Sequence, residues 1–200
     1  MCGPLTDKKA NGTGLCIGLF FFATLITGCS TLRQAIIERS LQNDWYQLQP
    51  AVALGYSLSA TQFVVIRHDA RVFSSLNRVE WNSDKMTLAA FSHMGGPLFT
   101  VVYQNEEMQA DYSPGVPPEF HAGYVLKDYQ LCFLPIAEVR KGLRNQRVRI
   151  DEHQGGREFY HNEELLLEIR YENQNPWLGK VALINHQHGY SLEIKTVEFN

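Results

Sequence analysis

The chain has 200 residues, 44% of them hydrophobic, and a formal net charge of −3 at pH 7. That length suits one domain with a proper core. The mild acidity excludes the basic surface that nucleic acid selects, so no nucleic-acid partner is expected.

Met1 to Gly14 is polar, with Asp7, Lys8 and Lys9 as its only charged side chains. The apolar block Leu15 to Gly28 is 14 residues long, the length of a signal-peptide core and short of the roughly 20 residues that span a bilayer. It ends in Ile26-Thr27-Gly28-Cys29, which reads as a lipobox: a branched apolar residue, two small ones, then the thiol that accepts a diacylglycerol. The spacing predicts a signal peptide over 1–28 and a membrane-anchored mature chain with several acyl chains, palmitate among them, on Cys29. Each buried methylene adds about 0.8 kcal/mol, so several chains hold firmly where one does not. Ser30 follows the cysteine in place of the aspartate that commonly retains lipoproteins at the inner membrane, which favours the periplasmic face of the outer membrane.

Removing residues 1–28 leaves 172 residues with a net charge of −4. Cys2 and Cys16 leave with the signal peptide and Cys29 is acylated, so Cys132 stands alone and no disulfide forms within the mature chain. Residues 29–50 read as a lipidated tether leading into a first helix, with Leu32, Ile36, Ile37 and Leu41 near helical spacing. Residues 51–200 form the remaining domain.

Within that domain Gln62–His68, Arg71–Trp81, Lys85–Phe91, Leu98–Tyr103 and Met108–Tyr112 are apolar or β-branched runs separated by short turns, an antiparallel meander. Pro114 to Pro118 breaks the sheet, and Glu119 to Leu143 turns helical, with Pro135 dividing it in two. Strands resume at Val148–Ile150, Arg157–Tyr160, Leu165–Tyr171, Lys180–Ile184 and Tyr190–Phe199. The expected fold class is α+β: one large curved antiparallel sheet, an incomplete barrel, with helices inserted after the fifth strand as a lid.

Phe63-Val64-Val65-Ile66, Leu98 to Tyr103 and Leu165-Leu166-Leu167 place apolar side chains at both odd and even positions. Cover on both faces is therefore expected, and a curved sheet under a helical lid then either encloses an apolar cavity or is filled by its own core. A ligand in such a cavity would lie against Trp81, Phe91, Phe99, Val101, Phe120 and Tyr124.

No nucleophile elbow, phosphate-binding glycine loop or Cys-x-x-Cys occurs. His186 and His188 fall in Asn185-His186-Gln187-His188-Gly189, which reads as a solvated hairpin turn, so no metal is expected. Cys132 sits among Leu131, Phe133 and Leu134 as a small buried hydrophobe. No catalytic constellation or cofactor site assembles, and the chain reads as a binding protein, not an enzyme. The loop Ser92-His93-Met94-Gly95-Gly96-Pro97 joins two apolar strands. Its Met94, beside Gly95 and Gly96, either tucks back onto the sheet or forms an apolar tip that touches lipid.

The order of lipobox, meander, inserted helices and closing strands resembles LolB-like outer-membrane lipoproteins. The resemblance rests on Val79-Glu80-Trp81, Met86-Thr87-Leu88, the loop at Met94-Gly95, Leu165 to Tyr171 and Tyr190 to Ile194. A closer likeness is to a family of proteobacterial lipoproteins encoded beside aryl polyene lipid biosynthesis genes, through Gln130-Leu131, Pro135, Leu143, Ile169-x-Tyr171 and Gly189-Tyr190-x-Leu192-x-Ile194. The first likeness implies the LolA/LolB fold, a lipid or acyl ligand, a LolA-like periplasmic carrier as partner, and a delivery role for Met94. The second implies an aryl polyene lipid as the cargo. A structural or assembly lipoprotein that binds a partner protein and no lipid is the alternative.

Overall fold

The computed structural model describes residues 45–116 and 120–200. The signal peptide, Cys29 and the expected first helix up to residue 44 lie outside them. From Trp45 to Pro50 the chain is not helical; Tyr46 makes a lone antiparallel bridge with Leu143, and a short 3-10 turn covers Ala51–Leu54.

Ten strands follow the order of the sequence reading: β1 (Leu58–His68), β2 (Arg71–Trp81), β3 (Lys85–Phe91), β4 (Pro97–Gln104), β5 (Glu107–Tyr112), then β6 (Val148–His153), β7 (Gly156–His161), β8 (Glu164–Tyr171), β9 (Lys180–Asn185) and β10 (Tyr190–Phe199). Between β5 and β6 lie α1 (Ala122–Phe133) and α2 (Ile136–Lys141). All strands join one antiparallel sheet ordered β5-β4-β3-β2-β1-β10-β9-β8-β7-β6, open and curved, with β5 and β6 as its unjoined margins. The pairing of β1 with β10 brings the two ends of the domain together and turns two meanders into one sheet. Two-residue turns at Asn105-Glu106 and Asn162-Glu163 have positive φ at both positions, the geometry whose twist suits tight hairpins.

Burial alternates along the strands. In β1, Leu58, Ala60, Gln62 and Val64 are buried while Ser59, Thr61, Phe63 and Val65 are half-buried. The expectation of two covered faces is thus corrected: one face is packed, and the apolar side chains on the other are partly open. Phe63, Leu76 and Phe91 are paired neighbours there and shield one another across β1, β2 and β3. Leu166 and Leu167 are both buried for a different reason. A bulge opposite β7 inserts an extra residue and turns both side chains inward.

Both helices cover the concave face, and α1, whose Leu126, Leu131 and Phe133 join the core, is also tied there by polar bonds. Arg157 of β7 donates from Nη1 to the carbonyls of Leu131 (2.8 Å) and Leu134 (2.9 Å), and the Tyr171 hydroxyl of β8 donates to the carbonyl of Cys132 (2.9 Å). Those carbonyls belong to the helix C-terminus, where they lack helical partners and where a cation also meets the negative end of the macrodipole. Gln130 accepts from the Tyr46 hydroxyl and the Gln49 amide and donates to the Gln49 carbonyl, which binds the segment before the 3-10 turn to α1. Gly142 closes α2 against that segment: a Cβ there would run into the Tyr46 ring, and its carbonyl accepts from the Gln47 amide at 2.7 Å.

Arg157→Ala strands two buried carbonyls at once. The expected loss is about 2–4 kcal/mol, from the desolvation left uncompensated when a charged donor is removed, read as a lower urea midpoint by far-UV circular dichroism.

Candidate functional site

The concave face has two regions. At its lower end, the side of the β2–β3 and β4–β5 turns, aromatic side chains fill the space. Trp81 is 1% exposed, its Nε1 donates to the Ala51 carbonyl at 2.8 Å, and its ring meets the edge of Trp177 at 6.5 Å. Trp177 in turn stacks on Phe133, with centroids 4.0 Å apart. Val101, Met86 and Leu88 are fully buried beside them, while Phe99, nearer the upper end of β4, packs on Phe120 at 4.8 Å.

Toward the upper end, the side of the β1–β2, β3–β4 and β9–β10 tips, the packing turns polar and then open. Asn77 donates from Nδ2 to the Tyr129 hydroxyl (3.2 Å) and accepts from Ser75 (2.7 Å), while Gln62 donates to Thr196 (3.2 Å). The Tyr190 hydroxyl donates to Asp128 on α1 at 2.7 Å. Beyond Ser75 and Asn77 and below Tyr190 lies Phe73, on the same concave face as Ser75 by alternation and paired with half-buried Ile66, yet 43% exposed. An apolar surface is therefore open at the upper end and continuous with the interior through Ile66 and buried Leu192, which pair across β1 and β10.

Of the residues expected to line a cavity, Trp81, Phe99, Val101 and Phe120 share the concave interior. Tyr124 stands apart on α1, half-buried against the rings of His121 (5.9 Å) and His188 (5.5 Å). Phe91 is a correction: it is paired with Leu76 on the convex face and cannot reach a ligand on the concave one. Its run Lys85–Phe91 alternates in register with β2, and counting inward from buried Ala90 puts Phe91 outside.

Met94 does not tuck back onto the sheet. It is 96% exposed at the tip of the β3–β4 loop. Gly95 holds φ at +79°, which glycine adopts without strain, and the loop closes through the Ser92 amide on the Gly96 carbonyl at 2.8 Å. His93 pins the tip to the sheet, sharing a 2.6 Å hydrogen bond with Ser74 and lying 5.7 Å from the Phe63 ring.

Sequence reasoning missed the buried polar residues Gln62, Asn77, Asp128 and Arg157, and it missed Trp177, which sits in the irregular segment between β8 and β9. The only signal was a polar residue at an inward strand position, as for Gln62 and Asn77. Cys132 is fully buried, and burial pushes its thiol well above the ordinary range, so it is not poised as a nucleophile. Among the described residues, no three His, Cys, Asp or Glu side chains gather as a metal would require, and no helix is long and apolar enough to cross a membrane.

Burial holds the hydroxyls of Tyr46, Tyr129, Tyr171 and Tyr190 above their ordinary range, with Asp128 adding to the effect at Tyr190, and pushes Tyr103 up to about 12. The fold therefore favours neutral tyrosine. Its stabilisation is fully present below the ordinary tyrosine pKa of about 10 and is lost as pH rises through and beyond it, by up to about 1.4 kcal/mol per pH unit for each group. Urea unfolding is expected to show a flat midpoint from about pH 7 to 9 and a steep fall above about pH 10. In the same native state, maleimide should leave Cys132 unmodified by peptide mass mapping and modify it once urea unfolds the chain.

No curated protein matches this chain. Among solved structures, a LolA superfamily protein from Nitrosomonas europaea aligns over 84% of this chain and 92% of its own at 10% identity, with a TM-score of 0.41. An outer membrane lipoprotein-sorting protein domain from Vibrio parahaemolyticus, described as putative, aligns over 82% and 90% at 10% identity and a TM-score of 0.34. A DUF1329 family protein from Desulfovibrio piger aligns over 85% and 92% at 8% identity and a TM-score of 0.30. These likenesses are too loose for any residue-by-residue correspondence. A family model is more decisive: residues 59–198 match it, and the chain belongs to the family described as Protein of unknown function (DUF3261).

Proposed function

We propose that this chain is a lipoprotein, anchored through Cys29 on the periplasmic face of the outer membrane, that binds or transfers a lipid or acyl-linked product on its concave face. One observation carries the reading: apolar surface at Phe73 and Ile66 is open at the upper end of a face that is otherwise filled. The lower end, packed with Trp81, Trp177 and Phe133, leaves no place for an acyl chain without moving those rings. The ligand therefore enters from above and lies on Phe73, Ile66 and Leu192, with its polar part toward Ser75 and Asn77. Met94 is the tip through which cargo meets the bilayer, and a LolA-like carrier is the partner that would bring it. Aryl polyene lipid and lipoprotein are the two cargoes in view.

The filled lower end also favours a second reading, an assembly lipoprotein that binds a partner protein and no lipid. A fluorescent acyl probe added to the purified full-length chain separates the two. Saturable binding is expected, weakened about tenfold or more by Phe73→Glu, because a carboxylate under an acyl chain loses its water; tenfold corresponds to about 1.4 kcal/mol. No binding, or equal binding by the variant, overturns the lipid reading. Lipids that mass spectrometry recovers from the wild-type chain and not from the variant would identify the cargo.

A further inference from the structure

Four hairpin tips stand along the upper edge, and three of them are adjacent around Met94: the β3–β4 loop, the β1–β2 turn and the β9–β10 turn, neighbours because β3, β2, β1, β10 and β9 are consecutive in the sheet. Met94 is 96% exposed there, and Val72, the second residue of β2, is 64% exposed. Arg67 is paired directly with Val72, on the convex face, and Arg71 precedes it on the other face; both are exposed. The charged side chains of these three tips are Arg67, Arg71 and Asp69, the rest being uncharged or histidine, and the two glutamates of this edge, Glu163 and Glu164, lie on the β7–β8 turn three strands from β1.

Exposed apolar residues also occur toward the opposite edge, at Val52, Tyr56, Leu178 and Val197. The charges around them are reversed. The turns and strand ends there carry Glu80, Asp84, Glu106, Glu107, Glu152, Glu172 and Glu198 against Lys85, Arg157, Arg170 and Lys180. Apolar exposure alone therefore does not select an edge, and charge does.

We infer that the upper edge is a docking surface for an anionic phospholipid bilayer, with Val72 and Met94 entering the interfacial region and Arg67 and Arg71 meeting headgroup phosphates. The pattern is the one that binds charged membranes: a few apolar side chains that gain by leaving water, flanked by arginines whose guanidinium forks match phosphate. The inference rests on the reading of Met94 as a lipid-facing tip. It adds a second contact at Val72 and a requirement for anionic headgroups.

The test uses the full-length chain reconstituted in phosphatidylcholine vesicles with or without phosphatidylglycerol. An environment-sensitive probe is placed by Val72→Cys, Met94→Cys or, as the opposite-edge control, Ser83→Cys; all three positions are exposed. The probes at 72 and 94 are expected to shift to the blue and to be quenched by nitroxide lipids when phosphatidylglycerol is present, while the probe at 83 stays aqueous. A basic residue near such a surface is worth about fivefold in partitioning, so Arg67→Glu with Arg71→Glu should reduce the inserted fraction by about tenfold or more. The wild-type arginines should lose the same advantage as salt rises from about 0.1 M to about 1 M, where the Debye length shrinks from about 10 Å to about 3 Å. Insertion that ignores phosphatidylglycerol, salt and both arginines overturns the inference, as does quenching at 83 equal to that at 72 and 94. Either result leaves lipid binding at Phe73 standing, because the acyl-probe measurement needs no bilayer.

Discussion

The domain depends on the side chains of the sheet that complete the C-terminal end of α1. A helix buried on nearly every side must find partners for its last carbonyls without water. Here Arg157 and Tyr171 reach up from neighbouring strands to the carbonyls of residues 131, 132 and 134. Gln130, next to Leu131, uses both ends of its amide on the chain between residues 46 and 49. These bonds fix how far α1 lies across the concave face, and with it the position of Phe133, on which Trp177 and then Trp81 are stacked. The filled lower end is thus a consequence of where the helix is clamped, not a separate feature of the core.

That clamp explains which parts of the fold were legible. Strands β2 and β3 follow from alternation and turn chemistry alone, because their buried partners lie on adjacent strands a few residues away. The start of β1 was read too late, at Gln62 in place of Leu58. Its inward positions include Ala60 and Gln62, and a buried glutamine whose amide reaches Thr196 gives no apolar signal. The helices were legible as helices, from the spacing of Tyr124, Val125, Tyr129 and Phe133 and from Pro135. Their orientation was not. Lys127, Asp128 and Gln130 look like a solvent face in one dimension, and all three are buried. The partners that bury them lie scores of residues away in the chain, where no local pattern points to them. Several residues behind the likeness to lipoprotein families, Gln130, Tyr171 and Tyr190 among them, are the ones that anchor α1.

For the candidate site, the decisive distinction was also one of face. Of the six ligand-cavity candidates, Trp81, Phe99, Val101 and Phe120 lie on the inner side and Tyr124 on α1, while the register of β3 sends Phe91 outward. Phe73 went unnoticed because it stands beside Val72 in a strand end without clear alternation. Only pairing with Ile66 shows that it continues the concave face. In the sequence an enclosed cavity and a filled apolar core stay equally open; in the structure the open apolar surface is at one end, with Gln62, Ser75 and Asn77 between it and the packed aromatic rings.

A protein of net negative charge is repelled, as a whole, by an anionic surface, so attraction at one edge needs a physical reason. Strand β1 has 11 residues, a length of about 35 Å at roughly 3.3 Å per residue. The Debye length near physiological salt is about 8 Å. Carboxylates on the turns of the lower edge are thus several screening lengths from any surface that the upper edge touches, and their repulsion hardly reaches it. What the surface senses is the local balance at Arg67, Asp69 and Arg71. Turned the other way, the same molecule would present Glu106, Glu107 and Glu172 and be pushed off. The charge difference between the two edges therefore acts on orientation first and on affinity second, and the orientation it selects is the one that brings Met94 and the open surface at Phe73 toward the lipid.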